Sequence, residues 1–199
     1  CTGTAITATV IVNPTPTITC PANIVRNADP GICGAVVTYP PATATGTPTP
    51  VITYSVASGS TFPVGVTTVT ATATNACGTV TCTFTVTVVD NQAPTIACPA
   101  NIVRNTDAGL CTATFAPANP TTADNCTVTL LTWTMSGATT GSSPTTGINN
   151  LGSRTFNMGV TTVAYTVKDA AGNTSNCSFT VTINDGQLPV VSAQPVNRT

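Results

Sequence analysis

The stretch Thr68-Val69-Thr70-Ala71-Thr72-Ala73-Thr74, followed shortly by Thr83-Phe84-Thr85-Val86-Thr87-Val88, alternates a hydroxyl with an apolar side chain at every step. Successive side chains of a strand point to opposite faces, so this alternation predicts two strands with Thr on a wet face and Val, Ala and Phe on a buried one. Composition agrees with that reading. Thr is the commonest residue, followed by Val, Ala and Pro, whereas strong helix formers are scarce: there is no Glu, one Lys and two Met. β-Branched residues suit a pleated, half-buried surface better than a helix. Breakers such as Asp107-Ala108-Gly109 and Asp169-Ala170-Ala171-Gly172-Asn173 mark the turns, because they bond their own backbone or tolerate positive φ.

Working outward from these strands, the chain repeats itself. Cys20-Pro21-Ala22-Asn23-Ile24-Val25-Arg26-Asn27 recurs letter for letter from Cys98 to Asn105. Thr61-Phe62-Pro63-Val64-Gly65-Val66-Thr67-Thr68-Val69 returns as Thr155-Phe156-Asn157-Met158-Gly159-Val160-Thr161-Thr162-Val163. Two copies of one module follow, residues 14–90 and 91–185, with linkers at Asp90-Asn91-Gln92-Ala93-Pro94 and Asp185-Gly186-Gln187-Leu188-Pro189. The second copy is the longer one, chiefly through the Gly/Ser/Thr/Asn-rich stretch Ser136–Ser153, which reads either as a disordered insertion or as a contact loop. About seven short strands per copy make a two-sheet sandwich the expected architecture.

Residues 1–13 read as the closing strand of a preceding repeat, and residues 186–199 as the opening of a further one. An orphan strand has unpaired N–H and C=O groups and an apolar face that need a partner. Self-association is therefore expected at Cys1, Ala5, Ile6, Val10 and Val12 and at Pro189, Val190 and Val191. The chain opens on Cys1 without an apolar leader, as a processed or fragmentary mature chain would.

Charge excludes much chemistry. Only 6% of residues are ionisable, with no His, and the formal net charge is −1. No Ser/His/Asp triad or imidazole metal site can be assembled, and five basic residues give no footprint for nucleic acid. We therefore expect no enzyme, no cofactor and no resident metal. Asp90 and Asp185 stand at linkers, but one carboxylate per junction is a thin donor set for Ca²⁺. Apolar runs such as Ala35-Val36-Val37 are far shorter than the roughly 20 residues a membrane-spanning helix needs. Nine cysteines in so uncharged a chain point to an oxidising compartment.

The motifs Cys20-Pro21-Ala22-Asn23-Ile24, Gly31-Ile32-Cys33, Gly109-Leu110-Cys111, Asp124-Asn125-Cys126, Lys168-Asp169-Ala170-Ala171-Gly172-Asn173 and Cys177-Ser178-Phe179-Thr180 resemble the hyalin repeat (HYR) module. The resemblance covers about Pro14–Asp185 and implies an all-β chain of two tandem immunoglobulin-like β-sandwiches with extra strands at both termini. Such modules occur in extracellular matrix, cell adhesion and long bacterial surface or secreted proteins, and are not themselves enzymes. By resemblance Cys20 pairs with Cys82 and Cys98 with Cys177, with Cys111–Cys126 and Cys33–Cys77 as second choices. Four cysteines in a copy allow three connectivities, and spacing alone does not decide among them. The first copy departs from the pattern by lacking Asp-Asn-Cys and carrying Cys77 instead.

Trp133 and Tyr54 take similar places in the two copies, as core aromatics or as a sugar-stacking platform. Arg26 and Arg104 either face solvent or pair with a linker Asp. Asn-X-Ser/Thr triplets begin at Asn125, Asn173, Asn176 and Asn197, frequent by chance in a Thr-rich chain. The expected function is a structural subunit or repeat segment of an extracellular filament, a homopolymer assembled head to tail through its terminal strands. The alternative is an adhesion module of a large cell-surface protein, binding glycans or surface proteins through Ser136–Ser153.

Overall fold

The structure, a computed structural model, describes residues 13–189. It divides into two compact units, Cys1–Asn91 and Gln92–Thr199. The expected association residues Cys1, Ala5, Ile6, Val10, Val12, Val190 and Val191 lie outside the described residues. The described residues form strands and connecting turns, with no helix.

The first unit contains β1 (Thr17–Thr19), β2 (Ile24–Asn27), β3 (Gly34–Val37), β4 (Thr43–Thr45), β5 (Val51–Tyr54), β6 (Ser60–Pro63), β7 (Gly65–Asn75) and β8 (Gly78–Val89). A four-stranded sheet runs in the order β2-β8-β7-β5, and short antiparallel ladders β1–β4 and β3–β6 lie apart from it. The alternating stretch quoted first is the β7–β8 hairpin. Val69, Ala71, Ala73, Phe84, Val86 and Val88 are buried while the intervening Thr residues are partly or fully exposed. Phe62, Ala35 and Val37 from the β3–β6 ladder complete this core, so the sandwich closes between the two layers. β2 runs parallel to β8, a pairing that a tight hairpin cannot supply. Asn23 holds it there: its Oδ1 accepts the Thr85 N–H at 2.8 Å.

The second unit repeats the plan with β9 (Thr95–Ala97), β10 (Ile102–Asn105), β11 (Thr112–Phe115), β12 (Thr121–Ala123), β13 (Val128–Gly137), β14 (Gly141–Ser142), β15 (Arg154–Asn157), β16 (Gly159–Asp169) and β17 (Thr174–Asn184). Its main sheet has the order β10-β17-β16-β13-β14, and Asn101 Oδ1 accepts the Thr180 N–H as Asn23 does in the first unit. The core is built of Leu131, Trp133, Leu151, Phe156, Tyr165, Phe179 and flanking Val and Ile residues.

Ser136–Ser153 is neither a disordered insertion nor a free loop. Gly137 ends β13 at φ +99°, where an added Cβ would run into the Val160 carbonyl. The chain then turns back and adds β14 to the outer edge of β13, and Leu131 exchanges backbone hydrogen bonds with Gly147 and Asn149 at 3.0 and 2.9 Å. Leu151 drops into the core at 1% exposure. The composition of the stretch is polar, so its single buried Leu was the only cue to this folding.

Cysteine pairing follows the strand register. Cys20–Cys82 and Cys98–Cys177 close with Cα–Cα distances of 5.8 and 5.7 Å. The second-choice pairs do not form, because Cys77 and Cys111 are free thiols. Cys33 precedes β3, whose Gly34 is in register with Pro63, just before β7 begins; Cys77 lies in the turn where β7 ends. The 11 residues of β7 separate them. At about 3.3 Å per residue that is roughly 33 Å, far beyond the roughly 7 Å limit for a disulfide. Cys111 and Cys126 are parted likewise: Cys111 O accepts Met158 N–H before β16, and Thr127 O accepts Ala170 N–H beyond its far end. Both Cys33 and Cys126 are disulfide-bonded.

Burial pushes the Tyr39 hydroxyl above its ordinary pKa, with neighbouring Tyr54 adding to the rise. Burial does the same to Tyr165, partly opposed by the Leu151 backbone. Both rings thus stay neutral in the fold where an unfolded chain begins to ionise, near pH 10. Their stabilising contribution is complete below about pH 10 and is lost as pH rises through the raised folded values. Urea midpoints should therefore fall above about pH 10, and less steeply in Tyr39→Phe and Tyr165→Phe.

Candidate interaction surfaces

Each unit has an upstream pole, at the β7–β8 or β16–β17 hairpin, and a downstream pole, where β8 or β17 ends. The downstream poles are built alike. Asp29 Oδ2 accepts Val36 N–H and Asp107 Oδ2 accepts Thr114 N–H, both at 2.8 Å. Ile32 and Leu110 donate backbone N–H to Asp29 and Asp107 carbonyls at 3.0 Å. Gly31 and Gly109 share φ +72°, a left-handed turn conformation that suits Gly. These matching turns place Cys33 and Cys111 at corresponding positions.

In the second unit a 510 Å³ concavity surrounds that turn, lined by Leu110, Cys111, Met158, Gln187, Leu188 and Pro189 among others. Pro189 is the one expected association residue that the structure describes. Leu110, Met158 and Leu188 are 54%, 51% and 88% exposed, so apolar side chains stand beside the thiol among the polar Thr106, Asp185 and Gln187. Gln187 stitches the departing chain to the turn: its Oε1 accepts Gly109 N–H at 3.0 Å, and its Nε2 donates to the carbonyls of Asp107 and Leu110 at 3.1 and 3.2 Å. Asp185 Oδ1 in turn accepts Gln187 N–H at 3.0 Å. Sequence reading passed over Gln187, although Gln92 and Gln187 recur at the same place in the two linkers.

The upstream poles also correspond. Cys77 sits in the β7–β8 turn with its Sγ donating weakly to Thr47 O at 3.6 Å, in the loop after β4. Cys126 sits in the loop after β12, beside the β16–β17 turn. That turn is held by Asp169, whose Oδ1 accepts Gly172 and Asn173 N–H at 2.6 and 2.8 Å. Asp124 Oδ2 accepts Cys126 N–H at 3.2 Å.

The lateral edges differ between the units. Among the described residues β5 pairs only with β7, so its outer edge has no strand partner, and Val51 on it is 68% exposed. The corresponding edge, that of β13, is covered by β14.

Trp133, Tyr54 and the two arginines are accounted for within their own units. Trp133 is 4% exposed, which leaves no ring face for a sugar, and the Arg154 guanidinium lies 5.0 Å from its centroid. Tyr54 accepts Ala42 N–H at 2.7 Å and lies 5.4 Å from Tyr39. Arg26 pairs with Asp29 at 3.1 Å and donates to Val36 O, so its acid is the turn residue and not a linker Asp. Arg104, in an identical octapeptide, lies 4.5 Å over Phe115 instead. The first unit has Val37 where Phe115 stands, so the same arginine there has no ring to cover.

The HYR domain profile matches residues 13–88 and again 89–183. The chain belongs to the HYR domain family. HYR modules are extracellular, so this HYR pair is extracellular or cell-surface, and modules of this family are typically structural or binding units. Among solved structures, the titin domains Z1Z2 in complex with telethonin are 15% identical over 89% of this chain and 100% of theirs, with a TM-score of 0.42. Human protocadherin-24 EC1-2 is 13% identical over 88% and 100%, TM-score 0.39. Drosophila OTK extracellular domains 3–5 are 17% identical over 85% and 62%, TM-score 0.37. No helix among the described residues is long and apolar enough to cross a membrane.

Proposed function

We propose that this HYR pair is a structural segment of an extracellular filament, its copies joined head to tail by β-strand addition. One observation carries the reading: the β5 edge has no strand partner among the described residues, whereas the second unit closes the same edge with its own β14. An open edge offers a row of N–H and C=O groups as a template for another chain's strand. Pro50 stops the edge at four residues, which suits a short guest strand and discourages runaway pairing. A donor strand from residues 1–12 of a second copy makes the contact heterologous, and a heterologous contact that does not close grows into a fibre. The folding of Ser136–Ser153 onto its own unit weighs against that stretch as a free adhesive loop.

Electron micrographs of the purified chain should show ordered fibres. Val51→Lys with Thr53→Lys places charges on the guest edge and should abolish them, as should deletion of residues 1–12. Because Val51 and Thr53 are exposed, the paired substitution should change monomer stability by no more than about 0.5 kcal/mol. Fibres that survive both changes would overturn strand addition at β5.

A further inference from the structure

The poles present a pattern that strand addition does not use. Cys33 and Cys111 occupy the same downstream turn, yet Cys33 is disulfide-bonded and Cys111 is an exposed free thiol. Cys77 and Cys126 both lie at upstream poles, yet Cys126 is disulfide-bonded and Cys77 is free. Each kind of pole therefore has one oxidised cysteine in this chain and one unoxidised one. The unoxidised pair is complementary, since one thiol is upstream on the first unit and the other downstream on the second.

We propose that Cys111 of one copy forms a disulfide with Cys77 of a second copy, a covalent head-to-tail junction. The concavity around Cys111 is the docking surface, with the exposed Leu110, Met158 and Leu188 in its lining. A second copy docked there covers these apolar side chains. The bond joins two different thiols, so each copy that has used one of them still carries the other for a further copy, and the junction can repeat from copy to copy. The oxidant is a low-molecular-weight disulfide of the extracellular medium. The Cys111 thiolate attacks it, forming a mixed disulfide and expelling one small thiolate. The Cys77 thiolate of the second copy then attacks the Cys111 sulfur and expels the other. Two protein thiols and one small disulfide thus become one protein disulfide and two small thiols.

This deepens the head-to-tail reading of the preceding section but stands on thiols and not on strand edges. The test uses the full chain in a Cys1→Ser background with oxidised glutathione. The parent should give a ladder of covalent multimers on a non-reducing gel, collapsing to monomer on reduction. Neither Cys111→Ser nor Cys77→Ser should form a ladder alone. Mixed, with one of them ¹⁵N-labelled, they should give a single heterodimer, and mass spectrometry should find the Cys111 peptide of one joined to the Cys77 peptide of the other. Cys111–Cys111 or Cys77–Cys77 homodimers in its place would overturn the proposal, and so would thiols capped by glutathione with no cross-link. Micrographs of the same samples report strand assembly separately. Fibres without the cross-linked peptide defeat the thiol junction alone, and the cross-linked peptide without fibres defeats strand addition alone.

Discussion

Replacing Cys98 and Cys177 together by Ala should lower the stability of the second unit by about 4 kcal/mol. The two residues are 79 apart in sequence, and a cross-link that closes so long a loop removes much of the freedom of the unfolded chain. Replacing both avoids leaving a stray thiol. A loss of that size is a large fraction of the roughly 5–15 kcal/mol that a domain of this size holds in total. The measurement is direct because Trp133, the one Trp in the chain, lies in the second unit's core. Its fluorescence against urea reports that unit, and the midpoint should move to much lower urea, close to that of the parent after reduction. The equivalent change at Cys20 and Cys82 removes a 62-residue separation and should cost the first unit a similar amount, read by hydrogen exchange of β7 and β8 amides. A loss under about 1 kcal/mol for both pairs would mean that their constraint on the unfolded chain is already supplied by residual structure.

Leu151→Ala should cost the second unit about 3 kcal/mol, within the 2–5 kcal/mol usual for emptying a buried Leu site. Leu151 is 1% exposed and packs in the cluster that holds Trp133, Phe156 and Tyr165. The surrounding core cannot collapse far, because β13 and β16 on one side of it are locked by a ladder that runs in register from Leu130 to Gly137. Ile148→Ala provides the contrast. Ile148 lies in the same polar stretch but is 57% exposed, and its loss should stay near 0.5 kcal/mol. Both are read from the same Trp fluorescence. Equal effects at the two positions would sink the conclusion that this stretch is part of the core.

Those two residues also mark where reading the sequence stops. Ser136–Ser153 is rich in Gly, Ser, Thr and Asn, and local composition says only that it is polar and turn-prone. That Gly137 turns the chain back, that β14 pairs with β13 and that Leu151 is swallowed depend on an edge that exists only once β13 and β16 are assembled. The arginines teach the same lesson from the opposite direction. Arg26 and Arg104 stand in identical octapeptides, yet one pairs with Asp29 and the other covers Phe115, because the neighbour that decides belongs to a different strand. What recurs in both copies was more legible. Asn23 and Asn101 make the same bond to the closing strand, and the two Asp-initiated turns superimpose in hydrogen bonds and in φ.

By itself the sequence determined the strands and the modules. The Thr/apolar alternation has period two, so each strand carries its own inside and outside, and the recurrence of Cys-Pro-Ala-Asn-Ile-Val-Arg-Asn carries one fold twice. Only the tertiary structure decided the second set of cysteines. Cys33 and Cys77 are as suitably spaced along the chain as any pair, but β7 stands rigidly between them and sends one to each pole. A disulfide is formed through space within a few ångströms, and distance through space is what the order of residues along a chain does not contain.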